Sequence, residues 1–589
     1  MPQSSGQVAL RHLIRYRPGP DKMSTDAAPS VPNANRLRIH DLPADVLILL
    51  LSLLHGQDIA RCVRVCRCFA DLIHSHLYLQ YRIELAQNGM VDGDSSTLPV
   101  SERLQRLRQY SSNFLNGIFD REDLTAHPDY ILQMRNLRGR LSTTFYNEGS
   151  SSVLYGNLDG QSESFLSVFA HGSARAGIQS RRWLMPLGTP EHPGRIIRNW
   201  AIGGVQDLLV IAEVSLIDTA TQMSSRPPEV RFFSLSGSET TATAHPAATL
   251  PCLQVVPPGG VQLTANVSIF NLCITRERVI WEIGATSGEV RNYLIEVCNW
   301  RTGQAISRIE LGTQPEHVVP LGNSYLLVTP QDPKPYLNIY SVSPSIPNRP
   351  ICTLQLPALN PGQRWMSCEM PISQRPSTLE GHFRADRSLS MVVLTHDIHG
   401  PEGPWASHLL IPCAALLTQI HSAVSQQAGS ADLRGPPEGS PVLVPWKDWG
   451  PRGCLRLRLR RNPQQIHHLI RMIPFGSRMP IVEFHDPRFR SSSVYVFDIN
   501  PLAARHVLAA RGHESETTAI VEDVEATLPG VVDPDCSAIP YVVYRFMLPD
   551  APRGRPYGHP VWSVEMSMTG FAIVFGGVSI EDSLQTWTV

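Results

Sequence analysis

Lysine is almost missing from this chain. Only Lys22, Lys334 and Lys447 occur in 589 residues, so 51 basic residues less 3 leave 48 arginines. The residues before those lysines are Asp21, Pro333 and Trp446, so the Gly-Lys step of a phosphate-cradling P-loop does not exist here. A protein kinase, which needs a strand lysine in an apolar context, is disfavoured on the same count. There is no G-x-S-x-G nucleophile elbow and no H-E-x-x-H helix, and His513-Glu514 has no second histidine to follow it. Hydrolase chemistry is correspondingly disfavoured, and no residue pattern calls for a cofactor.

Long apolar runs are missing too. The most apolar stretch, Val46 to Leu54, is interrupted by Ser52, whereas a membrane-spanning helix needs roughly 20 residues. The first residues contain arginines but no apolar core of signal-peptide length, and residues 1–36, polar and Pro-rich towards their end, read as a disordered tail. The expected location is intracellular, cytoplasm and/or nucleus. Eleven cysteines form no regular framework, which suits a reducing compartment, and the Asn266-Val267-Ser268 sequon is then a chance match. With 17% charged residues and a formal net charge of -1, no global field exists to gather nucleic acid.

What is present begins at Asp41. Pro43 suits a first helical turn, Asp41 and Asp45 place negative charge at the positive end of a helix dipole, and Val46, Leu47, Leu50, Leu51 and Leu54 supply an apolar stripe. His55-Gly56 is expected to end that helix. Asp58 is expected to open a second, running through Ile59, Cys62, Val65, Cys66 and Phe69 and resuming with Leu72, Ile73, Leu77 and Tyr81. Short helices cannot bury that much apolar surface among themselves, so the stretch implies a partner.

The order Leu42-Pro43, Asp45, Val46-Leu47, Leu50-Leu51, Asp58-Ile59, Val65-Cys66, Phe69 and Leu72-Ile73 resembles the F-box motif without a gap, with Phe69 in place of the usual tryptophan. The following LQYRIELAQNGMVDG and SERLQRL resemble the segment after the F-box in large fungal F-box families. The resemblance implies docking to the Skp-type adaptor of a cullin-RING ubiquitin ligase, with Leu42, Pro43, Val46, Leu47, Leu51, Ile59, Val65 and Cys66 forming or supporting the docking face. The expected boundaries are 37–90 for the F-box and 91–115 for a helical connector. Under that resemblance the scarcity of lysine acquires a second reading: a receptor beside a ubiquitin-loaded enzyme benefits from offering few amines. Arginine-favouring codon usage is the competing explanation.

From about residue 116 to 589 short β-branched and aromatic runs separated by Gly, Pro, Asn and Ser replace the helical period. Several form couples of consecutive strands: Asp207–Val214 with Val230–Leu235, Arg278–Gly284 with Tyr293–Trp300, Ser324–Thr329 with Tyr336–Val342, and Met479–Phe484 with Val494–Ile499. The turn Asn299 to Gly303 resembles the outer-strand hairpin of WD-like blades. The fold class expected is a small all-α F-box followed by a large all-β domain, most simply a β-propeller, with two β-sandwiches or a solenoid as alternatives. Residues 422–441, rich in Ser, Gln, Gly and Pro, read as a disordered insertion.

Other constellations carry less. Cys62, Cys66, Cys68, His74 and His76 crowd one region without the paired spacing of a zinc site, and Cys62 and Cys66 fall at apolar F-box positions, so core packing is expected. His396 with His399, and His467 with His468, lack an accompanying Cys or carboxylate pattern. In Leu455 to Arg460, alternation puts Leu455, Leu457 and Leu459 on one face and Arg456, Arg458 and Arg460 on the other, as in a strand with one wet side. Trp446 and Trp449 beside a Gly-Pro turn anchor it by packing. The arginines are a candidate pocket for an acidic or phosphorylated target peptide.

The combined expectation is a non-catalytic substrate receptor of a Skp-cullin-F-box ubiquitin ligase, with the adaptor and through it a cullin as partners, a target protein on the β domain, and neither nucleic acid nor membrane. An F-box scaffold outside a ligase, and an enzyme with an unrecognised site in the β domain, are the alternatives.

Overall fold

The computed structural model describes residue 39 and residues 42–93, 97–125, 146–147, 151–157, 164–170, 181–186, 195–203, 206–215, 227–236, 243–257, 266–287, 290–330, 336–343, 349–360, 364–369, 382–400, 403–429, 441–460, 471–484, 492–510, 520–521, 523–548, 561–568, 570–575 and 583–588. The expected tail at 1–36 lies outside these residues, as do Asp41, His467 and His468. A small helical region at the N-terminal end is followed by a large strand-rich region.

The helical region comprises α1 (Ala44–Ser52), α2 (Gly56–Cys62), α3 (Arg67–Ser75), α4 (Leu77–Gln87) and α5 (Val100–Leu115). Two expectations are corrected. Gly56 does not end the first helix but opens the second: His55, in extended conformation, precedes it and accepts from the amides of Asp58 and Ile59. Gly56 is buried because α2 lies on α4 there, so closely that a Cβ would come within 2.6 Å of the Ala86 Cβ. The second helix also does not run from Asp58 through Phe69. It tightens into i→i+3 turns at Arg64 and Val65 and breaks at the extended Cys66, where the β-branched Val63 and Val65 offer little helix propensity.

The connector is not helical from residue 91. Met90–Asp92 is a strand, paired antiparallel with Phe383–Ala385 of the strand-rich region, and α5 follows it. Tyr81 and Leu85 of α4 and Leu104, Leu107, Tyr110 and Phe114 of α5 then join one core with strands from 482 to 573.

The described strands form seven sheets of three to five strands besides that two-stranded ribbon. The first is Tyr146–Asn147, Ser151–Asn157, Ser164–Ala170 and Arg181–Pro186; the second is Arg195–Gly203, Leu208–Ser215, Glu229–Ser234 and Cys252–Gln254. The third is Asn266–Ile274, Arg278–Ser287, Val290–Asn299 and Gln304–Leu311. The fourth is Pro315–Leu321, Tyr325–Pro330, Tyr336–Ser341 and Pro350–Gln355, with Val442–Val444 added in parallel at its edge. Arg364–Glu369, Met391–Gly400, Gly403–Pro412 and Leu455–Arg460 make the fifth, and Arg478–Phe484, Ser492–Asp498 and Val542–Leu548 the sixth. The seventh holds Arg471–Ile473, Val561–Met566, Gly570–Phe575 and Ser583–Thr588, and beyond Ser583–Thr588 the early strand Asp120–Thr125. All four couples read from the sequence are antiparallel neighbours.

Alternation of side chains stacks these sheets in chain order. In Arg278–Ser287, Val279, Trp281 and Ile283 pack against the second sheet, while Ile280 packs against the fourth. Val392 and Leu394 meet the fourth sheet and Met391 and Val393 the sixth. Val494 and Val496 meet the seventh, and Tyr495 and Phe497 the fifth. Each sheet from third to sixth is therefore packed on both faces, which is why an inner strand such as Ser492–Asp498 is buried along its whole length and does not read as a half-wet one.

Ser422 to Gly429 is a correction to the disordered insertion. These residues complete a helix, α6 (Cys413–Gly429), because Leu416, Ile420 and Ala423 form an apolar rail into the core of the fourth and fifth sheets. Residues 430–440 lie outside the described residues. The Gly450-Pro451 step likewise is not a turn but part of a short helix, α7 (Trp446–Gly453), in which Trp449 Nε1 donates to the Gln355 carbonyl at 2.9 Å.

Candidate docking surface

Helix α1 is apolar almost all round, and only one of its rails is used internally. Leu47 and Leu51, one turn apart, are buried with Ile59, Phe69, Ile73, Leu79 and Ile83 in a core of their own. Val46 and Leu50 form a second rail and Leu49 and Leu53 a third, and all four lie at the surface, Leu53 at 76% exposure. A helix apolar on every side belongs in the interior of something. Among the described residues nothing supplies that cover, so the surface has the character of an interface.

The local geometry holds the face rigid. Pro43, itself exposed, precedes α1, and its carbonyl accepts from the amides of Val46 and Leu47 at 3.0 and 3.1 Å. At the other end Arg82 of α4 spreads its guanidinium over the terminal carbonyls, Nη1 donating to Ser52 O at 3.2 Å and Nη2 to Leu54 O at 2.9 Å. This satisfies acceptors that the end of a helix leaves open. Asp45 lies in the first turn, favourable to the dipole.

The eight residues named from the sequence divide. Pro43, Val46, Val65 and Cys66 are exposed, Val65 at 68%, and Leu42 is half-buried against the helical core. Leu47, Leu51 and Ile59 are interior and support the face from behind. Cys66 is corrected in one respect: the helix break turns it out of the core, while Cys62 stays half-buried there, its thiol raised by burial and by Asp58. Leu49 and Leu53 were missed by motif reasoning, although the lack of any polar residue from Val46 to Leu51 signals them. Phe69 is a core plug. No cluster of three or more His, Cys, Asp or Glu able to hold a metal occurs among the described residues.

The arginine stripe takes a different form from the one-sided strand expected. Arg456 is buried, its Nε donating to Ser407 Oγ at 3.0 Å and its Nη1 lying 3.3 Å from Asp533 Oδ2. Arg458, at the surface, reaches the same carboxylate oxygen at 2.6 Å. Asp533 is interior, and its own amide donates to Arg456 O. The two guanidiniums thus pin the segment around Val531–Cys536 along the outside of the fifth sheet, which is why Arg456 has no wet side. Burial lowers the Arg456 pKa and Arg458 adds to that, with Asp533 opposing. The side chain of Arg460 lies outside the described residues.

His396 is also interior, and burial followed by Arg456, His408 and His317 pushes its pKa down to about 3, so the imidazole is neutral. Thr395 Oγ1 lies 2.9 Å from His408 Nδ1. These are strand residues packed between sheets.

Residues 39–85 match the F-box-like family model. No curated protein matches the chain. Among solved structures, the crystal structure of BamB from Moraxella catarrhalis aligns over 80% of this chain and 96% of that one, at 7% identity and a TM-score of 0.28, a likeness too slight to bear on fold or function. F-box domains generally bind adaptors in ubiquitin-ligase-type complexes and are typically non-catalytic. No described helix is long and apolar enough to cross a membrane. The chain therefore carries an F-box-like domain at residues 39–85, ahead of a large strand-rich region.

Proposed function

We propose that this protein is the substrate receptor of a Skp-cullin-F-box type ubiquitin ligase, working inside the cell. The observation that carries the reading is the pair of uncovered rails, Val46 with Leu50 and Leu49 with Leu53, on a domain of F-box-like sequence. Removing apolar area of this kind from water supplies a driving force of roughly 25 cal/mol per Å², which the ordering cost of association partly offsets. The mechanism is proximity: the helical face holds the adaptor, the strand-rich body holds a target, and the transferring cysteine belongs to another subunit.

The body is read as a β-propeller. What supports this is the stacking of sheets in chain order with both faces used, together with Asp120–Thr125, which precedes the first sheet and hydrogen-bonds to the final strand of the seventh. In a propeller, radial closure leaves few strand edges unprotected.

The test is a pull-down of purified protein with the Skp-type adaptor and cullin. Val46→Glu with Leu50→Glu places charge on an exposed rail without touching the Leu47/Leu51 core, so binding should be lost while the thermal midpoint is retained. Equal recovery of adaptor by both proteins removes the docking assignment; adaptor without cullin turns the reading towards a scaffold outside a ligase.

A further inference from the structure

Arginine and lysine are not interchangeable where a planar fork makes several bonds at once. Arg82, bridging two carbonyls and the Tyr78 hydroxyl, is such a position, and so are Arg456 on Ser407 and Asp533 and Arg478 on Asp498 and Tyr110. At Arg64, Arg67, Arg452 and Arg505 the guanidinium is at the surface and makes no hydrogen bond or ion pair with another described residue. A lysine would serve those positions equally well, and the i,i+3 pair of Arg61 with Asp58 is also one that an ammonium can make. At those positions structure therefore does not account for the choice of arginine over lysine. Yet the choice is almost universal, with 48 arginines to 3 lysines. Lys447, exposed on α7, is the one lysine among the described residues.

We propose that the surface of this protein is depleted of amines so that it is a poor acceptor for the ubiquitin transferred in its own complex. The inference rests on the receptor reading above. In the transfer step the neutral Nζ of a lysine attacks the thioester carbonyl joining ubiquitin to an enzyme cysteine. An isopeptide bond forms, the C–S bond breaks, the thiolate leaves, and the amine proton passes to solvent or a base. A guanidinium, always protonated and delocalised, has no free lone pair to enter that step. Tethering a receptor beside the loaded enzyme raises the effective concentration of every surface amine, so each lysine removed lowers self-modification directly.

The experiment uses the full chain with adaptor, cullin-RING core, ubiquitin-activating and ubiquitin-conjugating enzymes and ubiquitin. Arg452→Lys and Arg505→Lys, combined with Arg276→Lys at another exposed position, keep charge and lie outside the docking rails. Conjugation to the receptor itself should rise by about twofold or more over wild type, with new isopeptide bonds mapped to the introduced positions. Cellular half-life should shorten in parallel, and a proteasome inhibitor should restore it. Assembly with adaptor and cullin, scored in the same reactions, separates two failures. Assembly with unchanged self-conjugation overturns amine depletion and leaves codon usage as the cause. Absence of assembly overturns the receptor reading beneath it.

Discussion

Glu282 offers the sharpest energetic prediction. It stands on the strand Arg278–Ser287, on the face directed at the fourth sheet, with 1% of its surface exposed. Asn271, held at φ 45° beside the bulge between Phe270 and Cys273, donates from Nδ2 to Glu282 Oε2 at 2.7 Å. Among the described residues Glu282 Oε1, which is buried, has no hydrogen-bond partner and no cation offsets the charge. Burial raises the carboxyl to about 7, with the Asn271 bond acting the other way. A folded-state pKa above the unfolded one means the folded protein binds the extra proton. The native state is therefore favoured at low pH, loses stability as pH climbs from the ordinary glutamate range towards 7, and changes no further above it. Moving a carboxyl from 4.5 to about 7 corresponds to about 3 kcal/mol at 1.36 kcal/mol per pH unit. Glu282→Gln keeps the acceptor for Asn271 and never ionises. The variant should lie within about 1 kcal/mol of wild type at pH 5 and exceed its stability by up to about 3 kcal/mol at pH 8. Thermal midpoints of both proteins at pH 5, 6, 7 and 8 read this as a growing difference, in which every other titrating group cancels. A difference that stays constant across that range, or a variant less stable at pH 8, would refute the reasoning.

Three further perturbations follow from named contacts. Gly56→Ala should separate α2 from α4 and cost about 1–3 kcal/mol by overpacking, read as earlier unfolding of the helical region in hydrogen exchange. Asp533→Asn strips the buried Arg456 of its carboxylate and should destabilise by about 3 kcal/mol, with protease cutting near Val531–Cys536 as the local readout. His396 carries the opposite sign to Glu282. Its pKa is lowered on folding, so the stability held above the ordinary histidine range is lost as pH falls through it towards about 3, and His396→Gln should flatten that acid limb of the stability profile.

The helical region was legible because its signals are local: a proline entry, an apolar rail at i and i+4, and acidic first turns. What misled there was also local. Gly56 looks like a helix end, but its missing Cβ serves the approach of α4, some thirty residues later, which no nearby residue announces. Cys66 sits on the apolar template, yet the break at Val63 to Val65 rotates it outward. In the strand-rich region the couples were legible because strands consecutive in the chain pair with each other. The partner of Arg456 was not, because Asp533 lies 77 positions away in sequence and the alternating Arg-Leu pattern describes a half-wet strand equally well. Helix α6 was hidden by composition: Ser, Gln and Ala suggest a solvated loop, and the Leu416, Ile420 and Ala423 spacing that makes it a helix begins before the stretch that looks disordered.

One polar network ties the docking module to the body. Asn500, fully buried, donates its side-chain amide to the carbonyls of Ala86 and Gln87 at the end of α4, and its backbone amide to Asp498 Oδ1. Asp498 Oδ2 lies 3.1 Å from Arg478 Nε; Arg478 Nη1 donates to the Tyr110 hydroxyl at 2.8 Å, and that hydroxyl donates to Met568 O at 2.8 Å. The chain of contacts thus runs from α4 through the sixth sheet to α5 and the seventh. Its ion pair is almost fully buried, so loss of either partner leaves an uncompensated charge, a cost of several kcal/mol that resists any separation of the two regions. A flexible tether would let a target wander through a volume set by linker length. Burying the connection instead fixes the body at one place relative to Val46, Leu49, Leu50 and Leu53. For a protein whose proposed work is proximity, that fixed geometry is the part of the mechanism its own residues supply.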